Sequence, residues 1–199
     1  SLQLTNTSTG NLQITSIQID LSTAILPDMV FDPVGAGGDE TASCFTANSG
    51  GADVGLIAPA DPCTSPFSQE RNGGFDVMDL SFADFDPNEA LFFTVDIDPN
   101  SIKDVPGAGG AGSVSGLELT GAKVTLTFSD GSTLIANIYE DGSLGGGQAV
   151  VAGAAPATPS ISAVGEDDIT CVTSANQTIE VTGTPGANVS LMLLDSRLF

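Results

Sequence analysis

Apolar residues recur at every second position in several short stretches of this chain, with Gly, Pro, Asn and Asp gathered between them. In "KVTLTF", Val124, Leu126 and Phe128 fall on one face and Lys123, Thr125 and Thr127 on the other, the pattern of a half-buried antiparallel strand. The segment "SDGS" joins it to a second alternating run, so 123–129 and 133–139 are predicted to form a hairpin around Asp130 and Gly131. In "LQITSIQIDL" the apolar parity shifts between Ile14 and Ile17, which predicts a bulge near Thr15 and Ser16 within a strand over 12–21. The other strand candidates are 2–5, 29–31, 55–57, 75–82, 90–97, 116–119 and 148–152.

So many short strands with Gly-rich connections predict an all-β fold. Its first unit, 1–153, is expected to be an antiparallel β-sandwich of jelly-roll type, with a closed barrel as the alternative. The stretch "GAAPATPS" shifts the composition and reads as a linker over 154–160. Beyond it, 161–199 looks like the start of an immunoglobulin-like module, with strands at 178–182 and 188–194 joined by "GTPGA". Some 40 residues are too few for a core of their own. This second unit is therefore expected to be cut off, packed on the first, or completed by strands from another chain.

Charge narrows the partners. Against 25 acids stand only Arg71, Lys103, Lys123 and Arg197, a formal net charge of −21. Nucleic acid and anionic membrane surfaces are excluded as partners, because no cationic patch exists to displace their counterions. No run of about 18 apolar residues occurs, so membrane insertion is not expected, and Ser1 opens directly on a strand-like segment, as in a secreted chain whose leader has been removed. Cys44 and Cys63, with 18 residues between them, are expected to form a disulfide in an extracellular setting. Such a bridge stabilises by roughly 3 kcal/mol in the chain-entropy model. Cys171 is left over.

The segments "LPDMVFDPVGAGGD", "LSFADFDPNEALFFTVDIDPNSI", "GSVSGLELTGAKVTLTFSDGSTL" and "GGGQAV" together resemble a β-sandwich module of large secreted or surface-anchored bacterial proteins. In those proteins malectin-like, PKD, fibronectin or immunoglobulin-like modules often stand beside it. The resemblance implies adhesion or glycan recognition and supplies no catalytic set. The stretch "TIEVTGTPGANVSLMLLD" is similar to the immunoglobulin-like module that often follows.

Which chemistry the residues support is limited by the absence of histidine, which removes Ser-His-Asp and Cys-His catalysis and, with three cysteines, any plausible zinc site. The Gly-rich "GAGGAGS" does not open a helix and is no phosphate cradle. Paired carboxylates at Asp84 and Asp86 or Asp96 and Asp98 could in principle serve a glycosidase, but with no Trp and one Tyr the chain lacks aromatic sugar platforms, and no catalysis is expected. Calcium suits the acids better. "DFDPN" (Asp84, Asp86, Asn88) and "DIDPN" (Asp96, Asp98, Asn100) repeat the donor spacing that opens a calcium loop, without its glycine or closing glutamate. Asp28, Asp32, Asp39 and Glu40 add donors from another loop. If 90–98 is one strand, Asp96 and Asp98 share its outer face with Phe92 and Thr94, about 7 Å apart, and need a counter-charge. The competing reading makes each repeat an Asp-Pro turn that ends a strand.

Glycans would have to be met by Tyr139, by exposed Phe such as Phe92, by Asn and Asp, or through a bound cation. Asn6, Asn176 and Asn188 sit in N-glycosylation patterns. The sequence thus points to a non-catalytic, extracellular adhesive or structural module with calcium and with glycans or neighbouring surface proteins as partners. The alternative is homo-assembly into a filament or array by strand donation.

Overall fold

The structure is a computed structural model that describes residues 1–8, 11–105, 114–141, 146–149, 160–163 and 179–182. The chain divides into two compact units, Ser1–Gly153 and Ala154–Phe199. Among the described residues, unit 1 is built almost wholly from antiparallel strands, with two single-turn 3-10 segments at Leu21–Thr23 and Asn100–Ile102.

The strands of unit 1 are β1 (Leu2–Thr5), β2 (Ile14–Asp20), β3 (Met29–Phe31), β4 (Thr46–Ser49), β5 (Phe67–Arg71), β6 (Gly74–Phe85), β7 (Ala90–Thr94), β8 (Ile97–Pro99), β9 (Lys123–Phe128), β10 (Thr133–Asn137), β11 (Tyr139–Asp141) and β12 (Gly146–Gln148). A small sheet has the order β1-β7-β4; a large one runs β10-β9-β2-β6-β3-β8, with β5 also paired to β6. β11 and β12 pair with each other.

Both sheets bury one face in a common core. Leu91 and Phe93 of the small sheet pack in one apolar cluster with Ile17, Phe31, Leu80, Phe85 and Phe128 of the large one. Phe45 meets Phe93 at 5.5 Å between ring centroids, and Phe67 lies 5.7 Å from Phe31 and 5.6 Å from Phe75. Burial of such a ring is worth about 1.5–3 kcal/mol. The molecule is thus an all-β antiparallel sandwich, as its periodicity predicts.

Local predictions meet the structure unevenly. The register of β2 shifts between Ile14 and Ser16 against both neighbours, where the parity break lies in the sequence. β9 and β10 form the expected hairpin, and Gly131, at φ 82°, takes the left-handed turn position that an L side chain resists. Residues 55–57 supply only a bridge from Leu56 to Phe82, and 116–119 form turns rather than a strand. Of 148–152, Gln148 belongs to a strand and Ala149 does not, and 150–152 lie outside the described residues.

The main correction concerns 90–97. It is not one strand: β7 ends at Thr94 in the small sheet, and the chain crosses through Val95 and Asp96 to enter the large sheet as β8. The carbonyl of Asp96 accepts the Asp32 N–H at 3.0 Å and its own N–H donates to Ser43 O at 3.0 Å, so Asp96 bonds to neither β1 nor β4. The alternation that places Asp96 and Asp98 on one solvent face is therefore broken, and Asp98 is 1% exposed.

In unit 2, β13 (Ser160–Ala163) pairs antiparallel with β14 (Ile179–Thr182). The strand predicted at 178–182 is present, whereas its predicted partner at 188–194 lies outside the described residues.

Candidate functional site

The two acidic repeats have opposite environments. In the first, Phe85 ends β6 fully buried and turns Asp84 and Asp86 outward. The Gln13 Nε2 amide donates to both, at 2.9 Å to Asp84 Oδ1 and 3.0 Å to Asp86 Oδ1. Asp86 N–H donates to Glu89 Oε2 at 2.8 Å, and Asn88, at φ 73°, turns the chain into β7 while its N–H donates to Asn6 O. This is a solvated, internally hydrogen-bonded turn.

The second repeat faces another loop. Asp32 (0% exposed), Asp39 (5%) and Asp98 (1%) are buried together. Asp32 is wrapped by its own loop: Oδ1 accepts Ala36 N–H at 2.8 Å and Oδ2 accepts Gly38 N–H at 2.7 Å. Asp39 N–H donates to Asp98 Oδ2 at 3.1 Å, and Asp39 Oδ1 accepts from Thr41 N–H and Oγ1. Gly38 makes this approach feasible, because a Cβ there would stand 2.1 Å from the Asp98 Cβ.

Burial and neighbouring charge both act on Asp98 and Asp96. Burial, then the charges of Asp96, Asp39 and Asp32, push Asp98 up to about 6, against the opposing hydrogen bond from Asp39 N–H. Asp96 is raised as well, by burial and by Asp39 and Asp32, although the Ile97 N–H and Thr41 act against this. Thr41 has one hydroxyl proton to share between Asp39 and Asp96. Asp96 Oδ2 is buried without a hydrogen-bond partner.

The basic side chains of Arg71, Lys123 and Lys103 have partners of their own. Arg71 pairs with Asp76 at 2.7 Å and donates to the carbonyls of Pro27 and Met29; Lys123 pairs with Asp20 at 3.1 Å; Lys103 Nζ donates to Asn72 O at 2.7 Å. Among the described residues, no group of three or more acidic, His or Cys side chains converges in an arrangement ready to hold a metal. A cation here would take one or two carboxylates and draw its remaining oxygens from backbone carbonyls and water.

Of the predicted site residues, Asp32, Asp39, Asp96 and Asp98 are thus brought together. Asp84, Asp86 and Asn88 form the separate turn at Gln13. Asp28 lies at the far end of the second repeat, its carbonyl accepting Asn100 N–H at 2.8 Å and its Oδ2 accepting Ser101 N–H at 3.2 Å and Ser101 Oγ at 2.5 Å, and Glu40 is exposed. Thr41, Gly38 and the Ser43 carbonyl were not legible as parts of the cluster; the Gly run in "GAGGDE" was the available signal.

Cys44 and Cys63 form a disulfide, with Cα atoms 4.5 Å apart. It staples the loop that follows Asp39, and Cys44 Sγ also contacts Pro33 O at 3.6 Å. The glycosylation pattern at Asn6 needs correction: Asn6 is 1% exposed, and its Nδ2 donates to Leu12 O at 3.0 Å and Phe85 O at 2.9 Å. In the folded chain that amide is not a sugar acceptor. Asn176 and Asn188 lie outside the described residues, as does Cys171.

Fold and site together define an all-β sandwich module with a buried acidic cluster at one sheet crossing. No family model and no curated protein matches the sequence. Among solved structures, a protein from Nocardia farcinica described as uncharacterized and immunoglobulin-like in fold is similar at TM-score 0.33 and 12% identity, over 76% of this chain and 85% of that one. A likeness at that distance assigns no role.

Proposed function

We propose that this chain is a non-catalytic, extracellular β-sandwich module with adhesive or structural work, stabilised by Ca²⁺ that takes Asp96, and at most one further carboxylate, from the cluster of Asp32, Asp39, Asp96 and Asp98. The observation that carries the cation is the buried Asp96 Oδ2, which lacks a hydrogen-bond partner and belongs to a carboxyl whose pKa is raised by burial and by the neighbouring Asp39 and Asp32. A hard cation accepts such oxygens, and carboxylates with backbone carbonyls are its usual donors. The disulfide is compatible with an oxidising, extracellular setting. Among the described residues no helix is long and apolar enough to cross a membrane. The resemblance to modules of bacterial surface proteins supports adhesion over catalysis.

Thermal unfolding in millimolar Ca²⁺ and in EDTA tests the reading. Calcium should raise the midpoint in the wild type and lose that effect in Asp96→Asn; an unchanged wild-type midpoint overturns calcium binding. A second reading, homo-assembly by strand addition, is favoured by one observation: β10 is an edge strand with no charged residue, and its Ile135 is 65% exposed. Sedimentation of the full chain separates the two, since a monomer at all concentrations leaves only the first.

A further inference from the structure

The solvent face of the small sheet differs in charge from the large sheet taken as a whole. No Asp, Glu, Lys or Arg occurs in β1, β4 or β7, whereas the large sheet carries Asp20, Asp76, Asp79, Asp84 and Lys123 in its strands. In a chain with net charge −21, this is a neutral platform. At its centre stands Phe92, 44% exposed on the middle strand, while its neighbours Leu91 and Phe93 are fully buried. The register places Gln3 directly beside Phe92 on one side and Ser49 on the other. Two residues along, on the same face, lie Thr5 and the pair Thr46 and Thr94.

We propose that this face binds a neutral polysaccharide, with Phe92 as the stacking platform and the flanking amide and hydroxyls as hydrogen-bonding partners. A pyranose presents a face of C–H groups ringed by equatorial hydroxyls. An aromatic ring takes the first, and Gln, Ser and Thr, which both donate and accept, take the second. Gln3 Nε2 donates to Thr5 Oγ1 at 3.1 Å, which aligns the amide along the face and leaves the Thr5 proton to donate outward. The lack of acids matters because an uncharged sugar offers no counter-charge for the desolvation of a carboxylate. The charge elsewhere on the chain repels acidic polymers, so selectivity for neutral ones follows from the same surface. An open sheet face also suits the side of an extended polymer, where a chain end would call for a pocket.

This assignment rests on the adhesive reading above and gives it a site. Affinity electrophoresis of the full chain in native gels containing soluble β-glucan, xylan, mannan or alginate tests it, with EDTA and with Ca²⁺. At least one neutral polymer should retard the wild type, and alginate should not. Phe92→Ala should weaken that retardation roughly tenfold, the upper range for loss of one aromatic contact. Phe92 is half exposed, and an unchanged melting midpoint verifies the fold of the variant. Silence with every neutral polymer sinks the site and glycan adhesion together, whereas retardation unchanged by Phe92→Ala sinks the site alone. Equal retardation by alginate overturns the selectivity, and a dimer in sedimentation that Phe92→Ala dissolves would make the face a protein interface. Retardation that persists in EDTA is expected, since neither Phe92 nor its flanking Gln3 and Ser49 belongs to the acidic cluster.

Discussion

The two acidic repeats differ by one letter in their quoted pentapeptides, Phe85 against Ile97, yet the structure uses them in opposite senses. At Asp84 to Asn88 the apolar residue between the acids is buried, and both acids are exposed and share one Gln13 amide. At Asp96 to Asn100 the second acid is the buried residue, Ile97 is only half covered, and the partners are further acids from the loop after β3. Local spacing is the same; what differs is the end of the strand each repeat occupies. The first closes β6, where the alternation slips after Phe82 and leaves Ala83 and Asp84 both exposed before the buried Phe85. The second follows a change of sheets that resets the alternation. A short motif therefore reports turn chemistry reliably, and its electrostatics only once its surroundings are known.

The strongest way to break this contrast is to alter the packing that the second repeat alone requires. Gly38→Ala, which drives a Cβ into Asp98, should cost about 3 kcal/mol in urea unfolding, the range of an overpacked core. A smaller loss would show that the acidic loop relaxes.

Next in size is the dependence on pH. The Asp98 carboxyl has a value near 6 when folded and 3.8 as its ordinary value. Between these the folded chain holds a proton that the unfolded chain has released. In EDTA its contribution to stability is therefore lost as pH rises from about 4 to about 6. The difference between wild type and Asp98→Asn isolates this group from carboxylates such as Asp20, which is lowered when Ser22 and Lys123 outweigh its burial and thus acts in the opposite direction. Urea unfolding at steps of pH should show Asp98→Asn gaining on the wild type as pH rises, and a flat difference would contradict it. The smallest effect is expected at the first repeat, where Asp86→Asn should change stability by less than about 0.5 kcal/mol and leave any calcium response intact.

Much of the fold was legible because burial imposes a two-residue period. The β2 bulge, the hairpin of β9 and β10, and β1 follow from it, whereas β3, with all three residues buried, is legible as a short apolar run. β4, "TANS", was invisible for the same reason: all four of its residues are exposed, and it is held by its neighbour β7 rather than by a buried face. β5, "FSQER", buries only Phe67. The crossing at Val95 and Asp96 was hidden because the parity runs on without a break in the sequence, while the hydrogen-bond partners change. The site was half legible. Asp32, Asp39, Asp96 and Asp98 were named as oxygen donors, but their separation from Asp84, Asp86 and Asn88 depends on which strands become neighbours, and no local spacing encodes that.

The crossing also governs how the module responds to force. One covalent thread runs from the small sheet into the large one within two residues, and Asp96 bonds to the Ser43 carbonyl on one side and the Asp32 amide on the other. A shearing load between the layers must stretch this thread and its two transverse hydrogen bonds before the apolar faces can slip. At this crossing the two layers are thus stitched by backbone as well as by apolar packing, and the stitch runs through the amide and carbonyl of a single residue.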